Sequence, residues 1–276
     1  MGGTAVEEQR LTKEERTANS SLVARWRDIA VRAAHAPSAL ILRYFEHGQY
    51  EQTRKADGSP LTAADQQAER IIRQVLAESE SFDILGEEEG LSGSGSRYRW
   101  TIDPIDWTRS FVRGIPLFGT IVGLEDTHAQ RGIVGVIHLP VLQKTYAAAR
   151  GLGSTCNGTP IIVASDIPIS EAMVSVGDPL QFAAAQCEAA YHALFQRVPC
   201  LRGYTDCFGH ALVAGGCLHA MLDPSLNPWD IIATQVLVEE AGGTMLLRPS
   251  ALQGKVDAWF GTTRLVQELA PLLGFA

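Results

Sequence analysis

The chain has 276 residues, 46% of them hydrophobic, and a formal charge of −8. That length and composition bury a substantial core, in one large domain or two closely joined halves, and exclude a disordered protein. A net negative charge without any block of Lys and Arg excludes nucleic acid as the main partner and is mildly repulsive toward phosphorylated ligands, unless cations offset it locally.

The first twenty residues are charged and carry no apolar run, so neither a secretory signal nor a membrane span is expected. Val6 stands where a myristoylation motif requires Ser or Thr. The five cysteines are odd in number and widely spaced, with no Cys-x-x-Cys pair, which fits a reducing cytoplasm. Leu22, Trp26, Ile29, Ala30 and Ala33 follow helical spacing until Pro37 interrupts, and a second apolar helical piece runs through Phe45. A polar loop over 46–60 leads to Thr62, which opens a helix with Ala68, Ile71, Ile72, Val75 and Leu76 on one face and Asp65 completing a capping box. After an acidic loop at 86–90 and a Gly/Ser turn at 92–96, the pattern changes to strands over 98–102, 119–124, 132–139 and 144–149.

Asn157 and Gly158 suit a hairpin turn. Beyond it the pattern predicts strands at 161–164 and 173–176, a helix across 182–195, a second helix at 209–214 and a strand at 219–222. Asn227 and Pro228 fit the N-cap and first position of a helix that runs to Glu240 and stops at Gly242 and Gly243. Elements in this mixed order imply an α/β layered sandwich of alternating α and β layers. No repeat or low-complexity linker divides it. The expected organisation is an α+β half over 1–150 and an α/β half over 151–276 in one compact catalytic unit.

The chemistry concentrates in residues 100–111, where Asp103 and Asp106 leave the end of an apolar strand, Pro104 stiffens the turn between them, and Thr108 opens a helix. Two hard anionic ligands and a hydroxyl at a helix N-terminus are suited to divalent cations beside a phosphate. Each acid also has a plainer reading. Asp103 and Asp106 fit a strand-end turn, Glu87 fits a solvated loop beside Glu88 and Glu89, Asp230 favours its helix dipole, and Asp65 is explained by the capping box. The isolated histidines form no pattern of metal ligands, and the glycines of 151–158 lack the lysine of a phosphate-binding P-loop.

Four ordered segments, Pro60 to Asp65, Gly86 to Glu88, Asp103 to Asp106, and Trp229-Asp230 with Glu240 to Gly243, together resemble the inositol monophosphatase superfamily. The resemblance implies the sugar phosphatase type of fold, Mg²⁺ dependence with two or three ions, possible Li⁺ inhibition, a phosphorylated small-molecule substrate and a homodimer. It implies that Glu87, Asp103 and the Ile105 carbonyl hold one ion, and that Asp103, Asp106 and Asp230 hold a second. Thr108, hydrogen-bonded by Asp65, would then position or deprotonate the attacking water near Glu87, and the amides of residues 107 and 108 would hold phosphate oxygens. The segments 109–120, 177–179 and 204–208 look most like the histidinol-phosphate phosphatase branch, which makes Asp206 and Asp223 candidate contacts for a cationic leaving group. Asp206 also reads as a helix N-cap and Asp223, before Pro224, as a turn residue. Other esters remain open: an inositol monophosphate, or the substrate of a specialised biosynthetic phosphatase.

The chain departs from the family pattern at Trp107, where the family has Gly. If residue 107 is already helical, the indole points aside and packs on the core or walls the substrate pocket. The departure also keeps open a second class, a phosphatase-like protein that binds a phosphorylated ligand and turns over poorly.

Overall fold

The computed structural model describes residues 13–48, 52–54 and 60–275; most of the N-terminal stretch and much of the 46–60 loop lie outside the described residues. Helix α1 (Lys13–His35) and helix α2 (Ser38–His47) form as the periodicity indicates, with Pro37 between them. Val23 rather than Leu22 occupies the buried position at the start of the α1 stripe, and Leu22 is exposed. The loop over 46–60 is not wholly irregular. It contains β1 (Gln52–Arg54), which pairs antiparallel with β2 (Pro60–Thr62), and β2 runs straight into α3 (Ala63–Ser79).

An eight-stranded sheet follows, from β3 (Asp83–Gly86), β4 (Gly90–Ser92), β5 (Tyr98–Asp106), β6 (Gly119–Asp126), β7 (Arg131–Leu139), β8 (Lys144–Ala149), β9 (Ser154–Cys156) and β10 (Thr159–Ile161). The short helix α4 (Thr108–Phe111) sits between β5 and β6. The strand order is β10-β9-β8-β7-β6-β5-β3-β4, antiparallel except where β3 runs parallel to β5. Asn157 and Gly158 turn β9 into β10 with positive φ at both positions.

Alternation along these strands serves two cores, because both faces of the sheet are covered. Val122, Leu124, Val134, Val136, Ala147 and Ala149 pack with Trp26, Ile29, Ala30 and Ala33 of α1 and with Ile72 and Leu76 of α3. Their neighbours Ile121, Ile137, Leu139, Tyr146 and Ala148 face the other way.

That second core is completed by α7 (Asp206–Ala214), α8 (Pro228–Glu240) and the inner face of a five-stranded sheet. This sheet is built from β11 (Met173–Val176), β12 (Cys200–Arg202), β13 (Ala220–Leu226), β14 (Thr244–Pro249) and β15 (Val256–Gly261), in the order β12-β11-β13-β15-β14. Its outer face carries α5 (Pro179–Ala184), α6 (Glu188–Arg197) and α9 (Thr263–Leu269), through Phe182, Leu194, Leu265 and Leu269 on Val174, Leu222 and Trp259. The layers therefore run helix, sheet, helix, sheet, helix, the layered α/β sandwich expected from the sequence.

Two expectations in the second half need correction. The helix across 182–195 is two helices, because Gln186 adopts φ 56° and turns the chain so that the Cys187 thiol is buried against Asp257. No strand occupies 161–164: β10 ends at Ile161, and Ile162 is exposed. Among the described residues, no helix is long and apolar enough to cross a membrane.

The approach of α8 to the large sheet is set by glycine. Gly123 and Gly135 are cross-strand partners, and a Cβ on Gly135 would lie 2.2 Å from the Ala233 carbonyl oxygen of α8. Only hydrogen fits there, so the helix backbone rests directly on the sheet.

Candidate active site

Side chains three apart on a regular strand point to opposite faces. Asp103 and Asp106 nevertheless share one, because β5 is bulged between them: Asp103 pairs with Ile121 and Asp106 with Gly119, three residues against two. Pro104 sits in the bulge, where its missing N–H breaks no ladder bond, and its carbonyl accepts from Thr120 Oγ1 at 2.9 Å. From the facing layer, α8 brings Asp230 in its first turn, held by hydrogen bonds to Oδ2 from the Asn227 backbone N–H (2.7 Å) and side-chain amide (3.1 Å). Carboxylate oxygens of Asp103, Asp106 and Asp230 lie within 4.8 Å of one another.

Glu87 follows β3, with its backbone N–H donating to the Ile102 carbonyl at 3.1 Å, so the acidic loop is stitched to β5. Beneath that loop lies Glu69 of α3, fully buried, accepting from the N–H groups of Glu88 (2.8 Å) and Glu89 (3.1 Å) and from Arg73 Nε (2.8 Å). A Cβ on Gly86 would collide with Glu69 Oε1 at 2.1 Å, which explains the glycine at the loop's entrance.

Asp65 fills both roles open to it. Oδ2 accepts from the backbone N–H and hydroxyl of Thr62, at 2.8 and 2.6 Å, closing the capping box of α3. Oδ1 faces the Thr108 hydroxyl at 3.2 Å, and that hydroxyl is equally 3.2 Å from the Ile105 carbonyl.

Trp107 is not right-handed helical, as its packing aside would require; it has φ 63° and ψ 58° and caps α4. A bulky residue in that left-handed region costs on the order of 1–3 kcal/mol. Its carbonyl accepts from the amides of Ser110 and Phe111, and the residue lines the cavity.

That cavity, about 300 Å³, collects Glu87, Asp103, Ile105, Asp106, Trp107, Thr108, Asp206 and Asp230 in its wall. Asp223 is not brought to it. The residue is buried on β13, where one oxygen meets His210 Nε2 at 2.9 Å and the other packs where Gly177 lacks a Cβ. Asp206 reaches the cavity but is not the N-cap of α7; Thr205 is, and Asp206 begins the helix with φ 54°. Sequence reasoning missed Arg109, Asp178 and Lys255, which also line the cavity, and Glu69 beneath it. Glu69 carried a readable signal, an acid four residues after Asp65 on the apolar face of α3. Lys255 carried none, since only the fold brings it near.

The site's electrostatics are those of crowded anions. Burial, then the charges of Asp106 and Glu87, push the Asp230 carboxyl up to about 8. Burial likewise raises Asp106, against a hydrogen bond from the Cys207 backbone N–H that works the other way. Asp206 is raised well above the usual carboxylate range by burial and then by Asp106. A convergent set of buried hard oxygen donors fits a divalent cation, which would offset the burial and the mutual repulsion that raise these groups.

A family model described as the inositol monophosphatase family matches residues 23–257. A relative from Chlorobaculum parvum named histidinol-phosphatase is 37% identical over 216 residues, 78% of this chain and 83% of that protein. One from Aquifex aeolicus named fructose-1,6-bisphosphatase/inositol-1-monophosphatase is 36% identical over 184 residues, 65% of this chain and 68% of its own length. The solved inositol monophosphatase from Anabaena superposes with a TM-score of 0.78 at 25% identity, covering 93% of this chain and 96% of that one.

Proposed function

The chain belongs to the inositol monophosphatase family, which makes it a phosphatase, and from that premise we propose a Mg²⁺-dependent hydrolase of phosphate monoesters acting on histidinol phosphate. The observation that carries the reading is the gathering of Asp103, Asp106, Asp230, Glu87 and Thr108 in the wall of one cavity, with Asp65 hydrogen-bonded to Thr108. Glu87, Asp103 and the Ile105 carbonyl would hold one Mg²⁺, and Asp103, Asp106 and Asp230 a second. Bound there, the cations would neutralise the phosphate dianion and acidify a water.

The protein's own groups do the rest. Asp65 takes the Thr108 hydroxyl proton as its hydrogen-bond acceptor, which leaves the Thr108 oxygen free to accept from a water and aim it. The N–H groups of Trp107 and Thr108 hold the phosphate oxygens. Water adds its oxygen to phosphorus, the phosphorus–oxygen bond to the alcohol breaks, and the departing alkoxide takes up the proton that the water gives up, leaving hydrogen phosphate and the free alcohol. Asp206 in the cavity wall offers a carboxylate to an alcohol bearing an ammonium and an imidazole, while Asp178 lies 3.7 Å from Arg109. The Aquifex relative supports a second reading, an inositol or sugar phosphate ester.

Phosphate release from histidinol phosphate, inositol monophosphates and fructose bisphosphate, with Mg²⁺ and with chelator, tests both. Preference for histidinol phosphate that vanishes with chelator is expected; preference for a polyol ester would transfer the assignment to the second reading. Chelator-resistant turnover would sink the cation requirement. A homodimer in the cytoplasm accompanies this proposal, and sedimentation of the purified protein tests the dimer.

A further inference from the structure

Trp107 stands in the wall of more than the catalytic cavity. A second cavity of about 820 Å³ shares Trp107 and Asp178 with it and extends between β11, α6 and β12 along Tyr191, Phe195, Val198 and Leu201. A third, about 350 Å³, has the same two residues in its wall. The catalytic cavity is lined mainly by charged and polar groups, whereas the second is aromatic and aliphatic, with Phe195 at its rim 67% exposed. Its volume lies within the range of about 300–1,000 Å³ that encloses whole organic ligands, far beyond what a phosphate needs.

Trp107 is in a left-handed turn, flanked by Asp106, whose carboxylate accepts from the Cys207 N–H, and by Thr108, whose hydroxyl meets Asp65. It stands at the threshold where the polar and apolar cavities share a wall. Asp178, the other residue common to both walls, accepts from the Leu180 N–H at 2.8 Å as the cap of α5. An indole face at a threshold suits a flat, apolar group passing beside it.

We infer that the alcohol half of the ester passes Trp107 and seats an aromatic or apolar body in the second cavity, so that esters of aromatic alcohols are preferred over those of small polyols. The inference rests on the phosphomonoesterase reading of the same site and adds to it the class of the alcohol. The imidazole of histidinol is the smallest member of that class, and the cavity admits larger ones.

The test compares 2-(2-naphthyl)ethyl phosphate with ethyl phosphate, two alkyl esters of similar leaving-group chemistry, under saturating Mg²⁺, alongside calorimetric binding of 2-(2-naphthyl)ethanol to the cation-free protein. Gly203 lines the second cavity, has no positive φ, and would place an added Cβ with nothing within 4 Å, so Gly203→Trp fills the space at little local cost. Wild type should favour the naphthyl ester by roughly tenfold or more in kcat/KM, through KM, and bind the free alcohol; Gly203→Trp should abolish both. Equal kcat/KM for the two esters, or a preference unchanged in a Gly203→Trp variant that melts like wild type, overturns the inference. If wild type hydrolyses histidinol phosphate but neither of these esters, the inference fails and the phosphatase reading stands; if it hydrolyses none of the three, the phosphatase reading fails instead, and binding of the free alcohol alone still decides whether the cavity takes an apolar body.

Discussion

Glu69 and Asp230 are both acids held against protein atoms, on helices that flank the same cavity, and they are treated in opposite ways. Glu69 is surrounded by donors: two loop amides and Arg73 meet its oxygens, so its charge is balanced within the chain. Asp230 takes two bonds from Asn227, yet burial and then the charges of Asp106 and Glu87 push it up to about 8. The first carboxylate shapes a loop. The second belongs to a set whose balance must come from outside the chain, as expected of ligands for a cation.

The contrast is most directly broken at Asp103. Asp103→Asn should lower phosphate release by on the order of 10³-fold or more, since Lewis-acid stabilisation is worth several kcal/mol. In cation-free buffer the same variant should melt no lower than wild type, because a repelling charge has gone. Mg²⁺ should stabilise wild type by about 2.7 kcal/mol at a hundred times its Kd, an increment that shrinks in the variant. Clear destabilisation of cation-free Asp103→Asn would erase the distinction drawn here.

Glu69→Ala should behave in the opposite sense, losing about 3 kcal/mol or more by chemical denaturation, because Arg73 is left without its buried partner. Glu69→Gln, which keeps an acceptor for the loop amides, should lose less. If the alanine variant unfolds like wild type, the loop does not depend on Glu69.

A buried base sharpens the comparison with a smaller effect. His138 stacks on His35 at 4.0 Å, shares the Thr145 hydroxyl with it, and is lowered from 6.5 to about 4 by burial and then by His35. The folded protein therefore binds fewer protons here than the unfolded chain between those two values. This contribution is complete above about pH 6.5 and is lost as pH falls toward 4, amounting to at most about 3 kcal/mol. His138→Gln should flatten the fall in unfolding free energy between pH 7 and pH 4.5; an unchanged slope would assign the acid sensitivity elsewhere.

What could be read beforehand follows how local the determining forces are. Strands β5 to β8 and helix α8 announced themselves by periodicity and caps, and the site acids by their clustering at element ends. The bulge that turns Asp103 and Asp106 to one side depends on pairing with β6, which no single segment records. Strands β14 and β15 and helix α9 escaped the reading; β15 is covered on both sides, so Val256 to Gly261 shows no clean alternation. The family resemblance made Asp223 a candidate site residue, but the register of β13 turns it toward His210 rather than the cavity. Trp107 was visible as an oddity, and its left-handed backbone and three adjoining cavities came only with the fold.

The glycine pair of β6 and β7 has a consequence far from itself. The gap across which Asp230 faces Asp103 and Asp106 is measured out by the contact of Gly135 with the Ala233 carbonyl, main chain against main chain. Atomic radii rather than rotamers are the gauge, so jostling side chains cannot widen or narrow it. A single methyl group at that contact would act as a shim, retuning the cation site from one turn along the helix without touching any of its ligands.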